Sequence, residues 1–290
     1  METALVERDD NPLKYETQGL FFQIDGKVER SEELYSRFLN KFLILKAHPF
    51  IEDETRKKIN SAIRYFRLGT EAIEIEQKFI NYWIGIEYLF SSKIAGDNTF
   101  QRFKDFFSKV HGLSYVKRNL IEFHKQTLIS DGATALSDID DRLDYLLDVN
   151  TYNKLSMECL SIDPFLAFKA EVFSGVMGDD KTMRLYIKKH VTNLEQHLVR
   201  MYRVRNEIIH EAAIKPNIES LTSNLRYYLI FTINTMVDFF EKPMTEIIIN
   251  RQISIQDFFV FKSMEFEILL KATDIKHRAF NSSYNENLAS

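Results

Sequence analysis

Residues 181–212 read KTMRLYIKKHVTNLEQHLVRMYRVRNEIIHEA. Placed on a helical wheel at about 100° per residue, Ile187, Val191, Leu194, Leu198, Met201, Ile208 and Ala212 share one apolar stripe, with Tyr202 and Ile209 on its flank. The spacing predicts a long amphipathic helix, opened by Gly178-Asp179-Asp180, whose stripe must be covered by other elements. Downstream, Pro216 ends a linker and Glu219–Phe240 repeats the pattern, with Pro243 breaking it. Ile255–Lys271 is expected to be a further helix, and the last dozen residues, with Asn281-Ser282-Ser283, read as a frayed tail.

Upstream, the same periodicity continues. Ser31 is expected to cap a helix over Glu32–Lys46 that His48-Pro49 ends, and Asp53 to cap a stretch running to about Arg67. Gly69-Thr70 punctuates that stretch, and Glu71–Phe90 follows either as a second helix or as a continuation of the first. The middle is more broken: Phe100–Val110, Leu113–Leu128, Leu136–Val149 and Tyr152–Leu160 read as shorter helices, divided by Gly96-Asp97-Asn98, Gly112 and Asp131-Gly132, with Pro164–Phe173 as another. The opening thirty residues differ. Leu13–Tyr15 and Leu20–Ile24, separated by Gln18-Gly19, read as a short hairpin or an irregular extension. The expected organisation is an all-α fold: an extension over 1–30, a helical domain over 31–275 with a helical insert at about 96–178, and a flexible tail over 276–290.

Composition narrows the function. A hydrophobic fraction of 45% and a charged fraction of 28% belong to a folded chain rather than a disordered one. One cysteine, Cys159, excludes an intramolecular disulfide and a multi-cysteine zinc site. A net charge of −4 argues against coating duplex DNA through bulk charge, while leaving room for a local nucleic-acid site. The most apolar stretch, Tyr227–Phe240, is interrupted by Thr232, Asn234 and Asp238 and falls short of the roughly 20 residues a membrane span requires. With an acidic rather than basic start, the chain is expected in the cytoplasm and away from membranes. There is no phosphate-binding loop, dinucleotide fingerprint or nucleophile elbow.

The residues that carry chemistry are Arg205, Asn206 and His210. Arg205 falls in the middle of the apolar stripe, where an unpaired guanidinium is costly; it needs a carboxylate, a partner subunit or an anionic ligand. Asn206 and His210 are four apart and lie together on the stripe's edge. An anion-binding cation, an amide and an imidazole that titrates near neutral pH suit phosphodiester chemistry. The structural alternative is a salt bridge and a helix-dipole partner. Glu87 poses the matching question, since it lies in a stripe with Phe79, Trp83 and Phe90. Its partner is expected to be Arg205, or else Arg64, Arg67 or a backbone group.

Arg205-Asn206-x-x-x-His210, preceded by Tyr202 near the end of a long helix, resembles the Arg-x4–6-His signature of HEPN domains, closest to the Apea-like group. The partner element in that group is matched by Asn81-Tyr-Trp83-Ile-Gly85-Ile86-Glu87-Tyr-Leu89-Phe, with Gly85 where alanine is common and Glu211 where a glycine often follows the histidine. The resemblance covers roughly residues 53–240. It implies a HEPN-like helical bundle, a homodimer with a composite site, and a metal-independent endoribonuclease without a cofactor, associated with toxins and anti-phage defence. It implies His210 as general acid or base, Arg205 as transition-state stabiliser, Asn206 as positioning group, and Glu87 and Tyr202 in support. Some members of the family are inert dimerisation or nucleotide-binding modules. RNA is the expected substrate, and a protein partner or antitoxin encoded nearby an expected companion. Lys188, Lys189, Arg200 and Arg203 give the long helix a basic side that could guide RNA or simply keep the surface solvated.

Arg118-Asn119 with His124 satisfies a similar pattern, but Arg118 lies opposite the stripe of Leu113, Val116, Leu120 and Phe123 while His124 lies in it. Arg118 is expected to be solvated and His124 to be a satisfied core histidine. His48, His111, His190, His197 and His277 have no metal-ligand spacing, and the acidic cluster Asp138, Asp140, Asp141 and Asp144 lacks the ligand periodicity of an EF-hand.

Overall fold

The computed structural model describes residues 4–8, 11–16, 40, 43, 45–92, 98–129, 143–211, 218–241 and 251–281. The fold is all-α beyond an N-terminal antiparallel hairpin, β1 (Ala4–Arg8) with β2 (Asn11–Glu16). The helices are α1 (Asp53–Glu71), α2 (Ile75–Phe90), α3 (Thr99–Ile129), α4 (Val149–Glu158), α5 (Pro164–Gly178), α6 (Asp180–Glu211), α7 (Ile218–Glu241), α8 (Ile255–Lys271) and α9 (Ile275–Phe280), with a 3-10 turn at Leu143–Leu147. Among the described residues no helix is long and apolar enough to cross a membrane.

The hairpin pairs differently from the expectation. Leu13–Tyr15 does lie in a strand, but Leu5 faces Tyr15 and Val6 faces Lys14, so its partner strand lies upstream rather than downstream. Leu20–Ile24 lies outside the described residues. So does most of Glu32–Lys46; the part described is helical to Ala47, and the helix stops at His48 as expected.

The chain divides into two compact units, Met1–Phe107 with His197–Val260, and Ser108–Gln196 with Phe261–Ser290. These boundaries do not coincide with the 96–178 insert, because α3, α6 and α8 each supply residues to both units.

In the first unit α1 and α2 run antiparallel. Tyr65 stacks on Tyr88 with ring centroids 5.4 Å apart, Phe66 on Tyr82 at 5.8 Å, and Lys58 Nζ donates to the Ser91 carbonyl at 2.6 Å. The helices are separate, and the break is at Ala72–Glu74, where Ala72 (φ −63°, ψ 145°) and Glu74 (φ −72°, ψ 135°) are extended. Gly69, expected to punctuate, is instead inside α1 and buried: a Cβ there would meet the Tyr82 ring at 2.4 Å. Asp53 is the first residue of α1 rather than its cap; it favours the helix N-terminus by charge and is gripped by Arg56 at 2.5 Å. An aromatic core gathers α2, α3, α7 and α8, with Phe90 against Phe259 (4.6 Å) and Phe103 (5.0 Å), and Phe107 against Tyr228 (4.9 Å). Ile51 and Ile253 form an isolated parallel bridge.

Phe100–Val110 and Leu113–Leu128 prove to be parts of one continuous helix, α3, and Gly112, in the second unit, is again a contact rather than a break. A Cβ on it would lie 2.9 Å from both Phe266 and Val191. The core is built on Phe123, Tyr152, Leu155, Cys159 and Phe173. Asp148 caps α4 through the Asn150 amide and Asp163 caps α5 through the Leu166 amide, both at 3.0 Å. The tail expected from 276 is ordered at its start. Ile275–Phe280 is helical and buries Ile275, Ala279 and Phe280, because three apolar side chains on a short helix capped by Asp274 have a core to enter.

Gly69→Ala and Gly112→Ala should each destabilise the protein by about 1–3 kcal/mol through overpacking. Gly175→Ala, on α5 with nothing within 4 Å of its added carbon, should instead be neutral or stabilising by up to about 1 kcal/mol. Urea unfolding of the three variants measures the difference.

Candidate functional site

The stripe on α6 is buried through Ile187, Leu194, Leu198 and Met201, then opens: Ile208 is half-buried, and Ile209 and His210 are exposed. Arg205 sits at that transition. Its Nη2 donates to Glu87 Oε1 on α2 at 3.3 Å, and its Nη1 donates to Asn206 Oδ1 at 3.1 Å. The same Glu87 oxygen accepts the indole N–H of Trp83 at 2.8 Å. Arg205 Nε is buried with no hydrogen-bond partner among the described residues. Glu87 therefore pairs with Arg205, while Arg67 is engaged by Glu71 at 3.5 Å and Arg64 is exposed.

Beneath the pair lies an aromatic layer. Tyr202 stacks on Phe100 at 4.2 Å, nearly parallel at 11°, and tilts against Trp83 at 5.9 Å. Trp83 in turn meets Phe103 edge-on at 6.0 Å. The helical spacing of Trp83 and Glu87, four apart, signals that they share a face. The indole's role as second donor, and the stacking of Phe100, carry no such signal in the sequence. The side chains of Arg205 and Glu87 are 22% and 36% exposed, so the pair lies between a surface ion pair and a fully buried one.

Asn206 and His210 follow one another on the same edge of α6, and among the described residues no hydrogen bond or ion pair holds the imidazole. The arrangement offers a titratable group to solvent, an amide beside it, and a guanidinium already anchored by a carboxylate. Arg200 and Arg203 are exposed in the same compact unit, Arg200 Nη2 lying 3.2 Å from His197 Nδ1. Lys188 and Lys189 are exposed but belong to the other unit, so the four basic residues are not all members of one compact body.

The second Arg–His pattern is resolved in part against expectation. His124 is satisfied, its Nδ1 lying 2.5 Å from the Tyr145 hydroxyl. Arg118 is not solvated: its Nη2 is 2.8 Å from His111 Nε2, and His111 Nδ1 lies 2.9 Å from His190 Nε2. His190 stacks on Tyr115 at 3.6 Å and 6°. His111, Tyr115 and Arg118 share a face of α3 at helical spacing, and His190 on α6 draws that face inward. Burial, then the Arg118 charge, lowers His190 to about 4; burial, Arg118 and His190 together hold His111 well below the ordinary range. Burial raises the Cys159 thiol, as do Asp163 and Glu158, consistent with a core residue. Among the described residues no three His, Cys, Asp or Glu side chains gather as a metal site. Asp138, Asp140 and Asp141 lie outside those residues.

No family model, curated protein or solved structure matches the chain.

Two outcomes are expected from these contacts. Arg205→Ala should cost roughly 1–3 kcal/mol, less than the loss of a fully buried pair, and Glu87→Gln should recover much of that cost in the Arg205→Ala background; a double-mutant cycle by urea unfolding measures both. The histidine cluster should make stability fall with acid. A neutral buried histidine takes up its proton less readily than in the unfolded chain, so its contribution is complete above about pH 6.5 and is lost as pH falls toward 4. His190→Gln should remove up to about 3 kcal/mol of that pH dependence, read from melting temperatures between pH 7 and 4.

Proposed function

We propose that the chain is a HEPN-type, metal-independent endoribonuclease of the Apea-like kind, acting in the cytoplasm as a toxin or anti-phage effector. The observation that carries this reading is the Glu87–Arg205–Asn206 chain of hydrogen bonds, which holds a guanidinium and an amide beside an exposed His210 on the last turn of α6. Each member has a role in breaking an RNA phosphodiester. His210 takes the proton from the 2′-hydroxyl as that oxygen attacks phosphorus, or gives a proton to the departing 5′-oxygen. Arg205 neutralises charge growing on the phosphoryl oxygens. Asn206 orients phosphate or imidazole, and Glu87 fixes the arginine while Tyr202 and Trp83 wall it from below. Arg200 and Arg203, exposed in the same unit as His210, draw the RNA backbone by charge.

One histidine supplies one proton-transfer group, whereas the reaction uses a base and an acid. A homodimer supplies the second from an identical chain, and α6 and α7 are the elements proposed to meet its partner. The alternative is an inert HEPN-like module that dimerises or regulates a protein partner. It is favoured by one specific feature: Arg205 already gives Nη2 to Glu87 and Nη1 to Asn206, so phosphate must compete for them.

RNA cleavage by the purified protein in EDTA separates the two. The nuclease reading expects cleavage that survives chelation, ends in a 2′,3′-cyclic phosphate, and is lost by at least a hundredfold in His210→Ala with the melting temperature unchanged. Cleavage abolished by EDTA, or unchanged in His210→Ala, sinks it. No cleavage by a folded dimer favours the inert module.

A further inference from the structure

Arg226 lies on α7 in the first unit with 3% of its surface exposed. Its Nε and Nη1 are buried and, among the described residues, have no hydrogen-bond partner, nor does any carboxylate pair with it. The guanidinium lies over the Phe66 ring, 5.6 Å from its centre. The ionisable group that acts on it is the Tyr82 hydroxyl, and burial pulls Arg226 below its ordinary range.

Other partly buried arginines of the chain hand their N–H groups to acceptors. Arg205 donates to Glu87, Arg102 to the Phe90 carbonyl and Gln256, and Arg184 to the carbonyls of Leu270 and Ala272. Arg226 is buried more deeply than these and has less. A guanidinium keeps its proton at any physiological pH, so the charge cannot be shed. A ring contact worth roughly 0.5–2 kcal/mol does not offset the several kcal/mol it costs to take such an ion out of water.

Tyr82, the polar side chain that acts on it, is itself only weakly engaged. Thr70 Oγ1 gives its proton to the Phe66 carbonyl at 3.0 Å. Among the described residues the Tyr82 hydroxyl then has only Thr70 Oγ1, at a long 3.4 Å, to receive its own proton. A cation with two unused N–H groups beside an under-used hydroxyl calls for a ligand rich in lone pairs and negative charge.

We propose that Arg226, with Tyr82, forms an anion subsite on the α1–α2–α7 side of the first unit that takes a phosphate-type oxyanion. Arg226 supplies Nε–H and Nη1–H, Tyr82 supplies O–H, and Phe66 forms the apolar wall. The subsite is independent of the nuclease reading, since it uses none of Glu87, Arg205, Asn206 or His210. Free phosphate and the terminal phosphate of a nucleotide share this chemistry.

The test compares melting temperatures of the wild-type protein and Arg226→Met in inorganic phosphate, AMP, acetate and chloride at matched ionic strength. The expected result is a rise of about 2–4 °C for the wild type at roughly fivefold over the dissociation constant, absent in Arg226→Met. A rise with phosphate identifies the free anion as sufficient; a rise with AMP alone identifies a nucleotide. Equal shifts in both proteins, or a shift with acetate as large as with phosphate, overturn the proposal. Equilibrium dialysis of the wild type against inorganic phosphate and AMP keeps the test independent of the variant: one bound per chain supports the subsite, and no binding of either overturns it.

Discussion

The close approach of three helices governs the first unit. A methyl group added at Gly85 would meet Leu229 of α7 at 2.8 Å and the Ala62 carbonyl of α1 at 3.4 Å, and one at Gly69 would enter the Tyr82 ring. Glycine inside a helix costs about 1 kcal/mol relative to alanine, and here that cost is set against the burial it permits. With Gly85 seated between α1 and α7, the rotation of α2 about its own axis is fixed. Trp83 and Glu87 then necessarily face α6, and the ion pair with Arg205 follows from a contact on a different side of the same helix.

The same glycines mark the limit of what the sequence discloses. Periodicity locates nearly every helix, and Ile255–Lys271 agrees at both ends. Yet Gly69 and Gly112 look like punctuation in one dimension, since a missing side chain breaks a helix or admits a neighbour with equal economy. Only the neighbour decides, and Tyr82, Val191 and Phe266 are remote in sequence. The six residues of α9 fail for another reason: a helix under two turns has no period to detect, and its cap, Asp274, is the one local sign.

Charge in an apolar stripe was the most informative feature of the candidate site. Arg205 and Glu87 each occupy a position that demands a partner, and each is the other's. Arg118 illustrates the converse. It stands off its helix's main stripe, and its burial depends on two histidines, one of them on another helix. Arg226 sits among Thr222, Leu225, Leu229 and Ile230 on a helix whose apolar surface is too broad to define a stripe, so its isolation becomes visible only when the acceptors around it are counted. The three arginines thus meet three environments: a carboxylate, neutral imidazoles, and an aromatic ring with a hydroxyl.

The bridge between Ile51 and Ile253 has a consequence for biosynthesis. Glu52 donates its amide to the Ile253 carbonyl at 3.0 Å, Ile253 returns one to Phe50 at 2.6 Å, and Ile255 donates to the Thr55 hydroxyl at 2.8 Å. These bonds close a loop of about two hundred residues. Closing so long a loop costs little more entropy than closing a shorter one, but it makes the first unit wait for a segment synthesised about two hundred residues later. At 5–20 residues per second, roughly 10–30 s separate the emergence of α2 from that of Phe258 and Phe259, which complete its aromatic core. During that interval the nascent α1–α2 pair holds Phe79, Trp83 and Phe90 without their final cover. The segment Ser108–Gln196 leaves the ribosome in the meantime, but its core also takes Phe266, Leu269, Ile275 and Phe280, so by the order of translation the first unit is complete before the second.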